Sequence, residues 1–393
     1  MVNLKEKNLL IICDGYPSKD NAIYSNIFVK NQLKYIAPYF NNVYVISPTP
    51  YFPKIFKNLK FLPKRYTNAS KLENYSEKNI SVFFPKFLTP PFSKYYQNHK
   101  NALFLESAIK TIKNNSLTFD IIHAHFTKPC GVVANKISKE YDVPYILTVH
   151  EGPIWLEKEI LQSNIDFINA WKGAKTIIRV NKKDVPKLKK YNTDTIHIPN
   201  GFDQDIFKYQ KYQNIKEKTI VSVGNLVIRE KNQINLINAF DILLKKNPGI
   251  KLDIVGEGAD KNKICQEINR LKLNDSVRLL GSKKPKEIKV ILNKSKILVL
   301  PSFEESFGIV QIEAMACGVP VVATINGGSE EIITSKDVGL LVKDPNDTEE
   351  LANVIGIALN KKWNRKKIIA FSKKYSLKEI SFVLHQILLE CLT

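Results

Sequence analysis

The sequence is poor in cysteine and arginine and has no long apolar run. Its five cysteines, Cys13, Cys130, Cys265, Cys317 and Cys391, are odd in number, scattered, and form no Cys-x-x-Cys pair, so neither a disulfide framework nor a zinc ribbon is expected. No stretch approaches the roughly 18 to 20 apolar residues that cross a bilayer. The run Leu9-Leu10-Ile11-Ile12-Cys13 is too short for a signal-peptide core and has no small-residue cleavage site after it; it reads as the first buried strand of a cytoplasmic protein. Arginine supplies six of the 59 basic side chains, and no nucleic-acid-binding module is recognisable, which argues against nucleic acid as a partner. No solenoid-length repeat or low-complexity tract is present.

What remains is a globular composition, 44% hydrophobic and 25% charged over 393 residues, long enough for two or three domains with cores of their own. The net charge of +21 points to acidic partners, whether nucleic acid, anionic lipid or a phosphorylated substrate, and does not choose among them. A general lysine bias spread over solvated faces explains much of it equally well.

Short Val/Ile-rich runs alternate with segments of helical period, the pattern of parallel sheets with crossover helices. Candidate strands in the first half are 9–13, 42–47, 81–84, 120–123, 145–149, 176–180 and 195–198; in the second they are 219–223, 251–255, 277–280, 297–300, 319–322 and 338–342. Between the halves, Pro199-Asn200-Gly201-Phe202-Asp203 and the polar stretch to Lys218 read as a linker. Doubly wound sheets bind ligands beyond the carboxyl ends of their strands, so two such domains predict a site in a cleft between them. Residues 1–200 hold four glycines and residues 201–393 hold twelve. Glycine lets main chain approach a ligand, which places a phosphate or sugar on the second domain.

The densest constellation runs from Pro301-Ser302-Phe303-Glu304-Glu305-Ser306-Phe307-Gly308 through Ile309-Val310-Gln311-Ile312-Glu313-Ala314-Met315-Ala316-Cys317-Gly318-Val319-Pro320. It reads as strand end, loop, helix, turn and strand. Ile309, Ile312 and Ala316 share a helical face, and Glu313 is an acid in a nearly apolar run, where an unpaired buried carboxylate would cost several kcal/mol. Glu305 precedes a helix entrance whose outward amides, at Phe307 and Gly308, favour an anion. The bland alternative is that Glu305 caps the helix and Glu313 pairs with a lysine.

This block resembles the E-x7-E motif of retaining glycosyltransferase family 4, with Glu305 and Glu313 at the motif positions. Val223-Gly224-Asn225-Leu226 with Lys231 resembles the family's V-G-R-L and following lysine; Ile198-Pro199-Asn200-Gly201-Phe202-Asp203 its I-P-N-G-V-D; Gly327-Gly328-Ser329-Glu330-Glu331 its G-G-x-x-E. In the first half, Asp120-Ile121-Ile122-His123-Ala124-His125 and Thr148-Val149-His150 resemble D-x-I-H-A-H and T-x-H, and Tyr16-Pro17-Ser18 with Ile27-Phe28-Val29-Lys30-Asn31-Gln32 resembles the opening of polysaccharide-building members.

The resemblance implies an α/β, GT-B fold: two Rossmann-like doubly wound domains facing a central cleft, 1–200 on the acceptor side and 201–363 binding the nucleotide sugar. A C-terminal helical segment, 364–393, returns to the N-terminal domain. It implies that Glu313 bonds the nucleotide ribose, that Glu305, Ser306 and the amides of Phe307 and Gly308 hold the donor sugar, and that Lys231 neutralises the diphosphate as charge builds there. His150 would lie near the donor sugar; Gly224 and Glu331 complete the donor set. Transfer with retention would proceed by front-face attack, the leaving phosphate taking the acceptor proton, so no separate base is named. Neither a cofactor nor a metal is expected.

Departures from the pattern matter too. Asn225 replaces the usual arginine, which leaves Arg229 as the candidate for the same phosphates. After Asp14-Gly15 the first loop lacks the usual glycine pair, and Glu151-Gly152-Pro153 follows His150 in place of Gly-x-Asp. Three smaller patterns read as structural. Asp203-Gln204-Asp205 is a literal D-x-D but lies on the linker. Gly256-Glu257-Gly258 does not complete G-x-G-x-x-G, because position 261 is lysine. His123 and His125 have metal-like spacing without a third ligand nearby, and one of them is expected to face the core.

Residues 51–100 carry ten Lys/Arg against two acids, with twelve Phe/Tyr, a mixture suited to anionic headgroups and the water boundary of a membrane. A surface insertion with packed aromatics is the alternative. The sequence therefore reads as a cytoplasmic, peripherally membrane-bound hexosyltransferase moving a sugar from a nucleotide diphosphate donor to a polysaccharide or lipid-linked glycan. A sugar-nucleotide 2-epimerase of the same fold and a non-catalytic nucleotide-sugar scaffold are the competing readings.

Overall fold

The structure, a computed structural model, describes residues 3–21, 26–51, 71–88, 94–212 and 218–393. The chain forms two compact units: unit 1 comprises Met1–Glu151, Trp155–Ile198 and Ser381–Thr393, and unit 2 comprises Gly152–Ile154 and Pro199–Ile380.

Unit 1 is built on an eight-stranded sheet and a two-stranded ribbon. Its strands are β1 (Asn8–Cys13), β2 (Asn42–Ile46), β3 (Thr49–Tyr51), β4 (Tyr75–Glu77), β5 (Ile80–Phe83), β6 (Lys86–Leu88), β7 (Ile121–His125), β8 (Tyr145–Val149), β9 (Thr176–Arg179) and β10 (Thr195–His197). The sheet order is β10-β9-β8-β7-β1-β2-β5-β4, all parallel except for β4 on β5. Strands β7 and β8 are buried along their whole length, as parallel strands covered on both faces must be; β8 reads as a nearly continuous apolar run, whereas β7 buries two histidines among its apolar residues. Leu10, Ile12, Ile122, Leu147 and Trp171 lie at the heart of the core.

Unit 2 holds a six-stranded parallel sheet of β11 (Lys218–Val223), β12 (Ile250–Val255), β13 (Val277–Gly281), β14 (Ile297–Leu300), β15 (Val321–Thr324) and β16 (Gly339–Val342). Its order, β13-β12-β11-β14-β15-β16, reverses direction between β11 and β14, the crevice where doubly wound sheets bind ligands. In unit 1 the same reversal falls between β1 and β7.

All thirteen expected strands form within a few residues of their expected ends. Two local expectations need correction. His123 and His125 are both buried, because a spacing of two puts both on one face of a strand, and that face is covered. The segment 364–393, expected to pack as a whole on the N-terminal domain, divides: it belongs to unit 2 through Ile380 and to unit 1 from Ser381. Gly318, at φ +73°, leaves room for Arg365 at the start of the helix Arg365–Ser372, which lies against Ile309–Ala316 in unit 2. The stretch read as a linker is anchored in unit 2 by Phe202 and Phe207, both buried, and by a bridge from Phe202 to Ser376. Within the basic, aromatic stretch 51–100, residues 52–70 and 89–93 lie outside the described residues.

Candidate active site

In unit 2 three loops leave the carboxyl ends of β11, β14 and β15 and are laced together by main chain. The Phe303 amide donates to the Glu230 carbonyl at 2.9 Å, and the Glu305 amide to the Asn326 carbonyl at 3.0 Å. Beneath them the Thr324 hydroxyl donates to the Ser302 carbonyl. The first loop turns into a short helix, Ile228–Lys231, which delivers Lys231 to the second. There the Lys231 ammonium meets Glu305 Oε1 at 2.5 Å, and the Ser302 hydroxyl donates to the same oxygen at 2.8 Å. Glu305 therefore does not cap the following helix, Ile309–Ala316, whose N-cap is Gly308 at φ +85° with no side-chain bond.

Gly224 lies beside the Lys231 stem; a Cβ on it would stand 3.8 Å from Lys231 Cδ. Phe307 is buried and meets Tyr375 edge to face, with centroids 5.9 Å apart, which fixes the loop carrying Ser306, Phe307 and Gly308. Gly328 must be glycine, because a Cβ there would come within 2.9 Å of the Phe307 backbone. Asn326, unnoticed in the sequence, orders this corner by accepting from the amides of Gly328 and Ser329. Glu330 accepts from the Gly327 amide, and Glu331 stands next to it in the turn Ser329–Ile332.

Glu313 is partly buried within the helix Ile309–Ala316. Burial, and then the negative charge of Asp203, push its carboxyl up to about 8, so it does not behave as a lysine-paired carboxylate. Asn225 is exposed, and its carbonyl accepts from Gln233. The Arg229 side chain is 85% exposed and lies 3.4 Å from Glu230, so it is not drawn into the Lys231–Glu305 pair. The incomplete glycine motif has a structural use: a Cβ on Gly256 would lie 1.9 Å from the Gly224 carbonyl oxygen, and one on Gly258 would lie 2.3 Å from that of Leu226. In the D-x-D stretch, Asp203 Oδ1 accepts from the Asp205 amide, which closes a turn. Among the described residues no cluster of three or more His, Cys, Asp or Glu could hold a metal ion.

His150 belongs to unit 1. It follows β8 and sits among Phe28, Phe126 and His125, with ring centroids 4.7, 4.9 and 5.4 Å away. His125 Nδ1 lies 3.1 Å from His150 Nε2, and His123 Nε2 lies 2.8 Å from the Thr148 hydroxyl. Burial above all holds His123 and His150 down at about 3, so both imidazoles are neutral at pH 7. Glu151, where the resembled pattern has glycine, accepts from the amides of Thr127 at 2.6 Å and Lys128 at 3.3 Å. It thereby ties the turn after β8 to the turn after β7. Arg179 and Asp184, which sequence reasoning passed over, lie fully buried beneath that turn. Their signal was a lone arginine in the apolar run Thr176-Ile177-Ile178-Arg179-Val180.

Two family models match in tandem: Glycosyltransferase Family 4 over residues 41–206 and Glycosyl transferases group 1 over residues 203–375. The putative teichuronic acid biosynthesis glycosyltransferase TuaC of Bacillus subtilis is 28% identical over 363 residues, 88% of each chain. Among solved structures, sucrose-phosphate synthase from Thermosynechococcus elongatus superposes with a TM-score of 0.75 at 18% identity, covering 98% of this chain and 99% of its own. Anabaena HepE in complex with UDP gives 0.71 at 21% identity, covering 98% and 100%. With a Rossmann-like sheet in each unit, strand order reversing at both crevices, and the two matched regions adjoining at the boundary between the units, the chain belongs to the family 4 type of glycosyltransferases and has their GT-B fold.

Proposed function

We propose that the protein transfers a sugar, with retention, from a nucleoside diphosphate sugar to a polysaccharide or lipid-linked glycan. The observation that carries this reading is the Lys231–Glu305 pair at the strand-order reversal of unit 2: an ammonium for the diphosphate beside a carboxylate that can accept sugar hydroxyls. The bond from the anomeric carbon to the diphosphate breaks as the acceptor oxygen bonds to the same face, and the acceptor proton passes to the leaving phosphate. Lys231 offsets the charge that grows on that phosphate, where a preorganised cation contributes most. Glu313 bonds the ribose; Ser306 and the amides of Phe307 and Gly308 hold the sugar; Gly224, Asn225, Arg229 and Glu331 border the donor; and His150 faces the transferred sugar. No metal or cofactor takes part. The similarity to a protein named for teichuronic acid biosynthesis supports a surface-polysaccharide acceptor.

Residues 51–100 dock the enzyme on the anionic inner face of the cell membrane, their lysines contributing about 1 kcal/mol each near the surface. Liposome sedimentation at low salt tests this, and absence of binding to anionic vesicles would remove it.

The donor reading is tested by thermal unfolding with UDP, GDP, ADP and their sugar derivatives, with and without EDTA, for the wild type and Glu313→Ala. A ligand at a hundred times its Kd stabilises by about 2.7 kcal/mol, a shift of a few degrees. One base should give a shift that EDTA leaves intact and Glu313→Ala abolishes. No shift with any nucleotide would count against the donor site, binding without turnover in the presence of acceptor would favour the scaffold, and release of an epimerised sugar nucleotide without acceptor would favour the epimerase.

A further inference from the structure

Arg179, at the end of β9, is completely buried. Such a charge costs several kcal/mol to desolvate unless it is well partnered, and its partners are specific. Nη2 donates to Asp184 at 2.6 Å, while Nη1 donates to the Val149 carbonyl at 2.9 Å and the Glu151 carbonyl at 2.7 Å. Those two carbonyls flank His150. A buried ion pair of this kind is often no more stable than an apolar pair of equal volume, so stability alone is a poor reason for it. The planar fork of arginine can serve a carboxylate and two carbonyls at once, which an ammonium on a flexible stem cannot.

We propose that Arg179 is a positioning residue of the transfer site, fixing the His150 imidazole by clamping the peptide carbonyls on either side of it. The inference rests on the reading that His150 faces the transferred sugar. The clamp completes a three-point hold on residues 149–151. Arg179 fastens the main chain from β9, the Glu151 carboxylate fastens it to the amides of Thr127 and Lys128, and His125 meets the imidazole from β7. His150 Nδ1 is buried and has no partner among the described residues, so the ring's second nitrogen is kept from internal use. The charged and titratable groups around the ring are His123 and His125 on β7, Arg179 on β9, Asp184 with Lys187 behind it, and Glu151. Burial depresses His150 first, then His123 and Arg179 add to the effect; the guanidinium thus opposes protonation of the ring it positions.

The test uses the full chain with labelled histidine, comparing wild type, Arg179→Lys and the double variant Arg179→Met with Asp184→Leu, which removes both charges together. Histidine imidazole NMR is followed between pH 3 and 8, and UDP-glucose hydrolysis without acceptor is followed as kcat and KM. In the folded variants the His150 signals should move, and in the double variant its titration should rise from about 3. Arg179→Lys should lower kcat at least tenfold with KM within twofold of wild type. His150 signals superposing on wild type in either folded variant would overturn the proposal, as would unchanged kcat. A wild type that neither binds nor cleaves UDP-glucose counts against UDP-glucose as donor, and the NMR result then decides the Arg179 assignment by itself.

Discussion

Lys231 and Glu305 hold each other at 2.5 Å with side chains only 20% and 11% exposed. On the proposed reading, a diphosphate arriving at Lys231 would have to share the ammonium with that carboxylate, so Glu305 would oppose the nucleotide's phosphates even as it served the sugar. Glu305→Gln should therefore bind UDP as tightly as wild type or up to about tenfold more tightly, about 1.4 kcal/mol, while turnover of the sugar nucleotide falls. Titration calorimetry beside a hydrolysis assay checks this, and weaker UDP binding would show that the pairing assists the phosphate. Lys231 and Glu305 stood out in the sequence through the motifs they resemble, but their pairing did not, because nothing in either motif says that the first loop delivers its lysine to the second. Ser302, Asn326, Arg179 and Asp184 were not legible. Arg179 reaches the carbonyls of Val149 and Glu151, far off in the chain, and a single polar residue in a run carries no mark of which distant carbonyl it will meet; Ser302, Asn326 and Asp184 bond to near neighbours at spacings that declare no motif.

The loops at the strand ends depend on close main-chain approach. Gly256 has φ +147° and lies against the Gly224 carbonyl, whereas Gly249, at φ +87°, has nothing within 4 Å of where its Cβ would be. Both alanine substitutions incur the left-handed strain of about 1–2 kcal/mol, but only Gly256→Ala also drives the β11 and β12 loops apart. It should lower Tm more than Gly249→Ala does and weaken nucleotide binding, while Gly249→Ala leaves binding unchanged. Equal effects on binding would show that the loop contact is not part of the site. The same elements explain what the sequence revealed of the fold. Central strands such as β8 and β14 are buried on both faces and announce themselves as apolar runs. Strands β3, β4 and β6 are three residues each, too short for any period to declare itself, and all three went unseen.

For the molecule as a whole the two units should answer acid in opposite senses. In unit 1, His123, His125 and His150 have pKa values depressed below the ordinary histidine value. The unfolded chain binds more protons there, so unit 1 loses stability as pH falls below about 6.5. His385, in the same unit, is lowered by burial too; Glu151, raised by burial, opposes this as one group against four. In unit 2, Glu313 and Glu304 are raised. The folded state then holds protons that the unfolded state releases, and stability is lost as pH rises from about 4.5 toward 8. Hydrogen exchange read separately for each unit between pH 5 and 6.5 should show unit 1 loosening and unit 2 tightening on acidification, and Glu313→Gln should flatten the response of unit 2. Parallel trends in both units would contradict these shifts.

Ser381–Thr393 belongs to unit 1, although the 182 residues of Pro199–Ile380 separate it from the rest of that unit. Within it Leu384 and Leu388 are buried, the His385 ring packs 3.9 Å from that of Tyr39, and Cys391 Sγ lies 3.5 Å from the Thr176 hydroxyl. On a ribosome adding about 5–20 residues per second, the N-terminal sheet waits on the order of 10 to 40 seconds for this last piece. Unit 2, finished through Ile380, has its whole sequence available before unit 1 does. The half of the enzyme made first is the half completed last, and the apolar surface awaiting those final residues is what a chaperone would meet during synthesis.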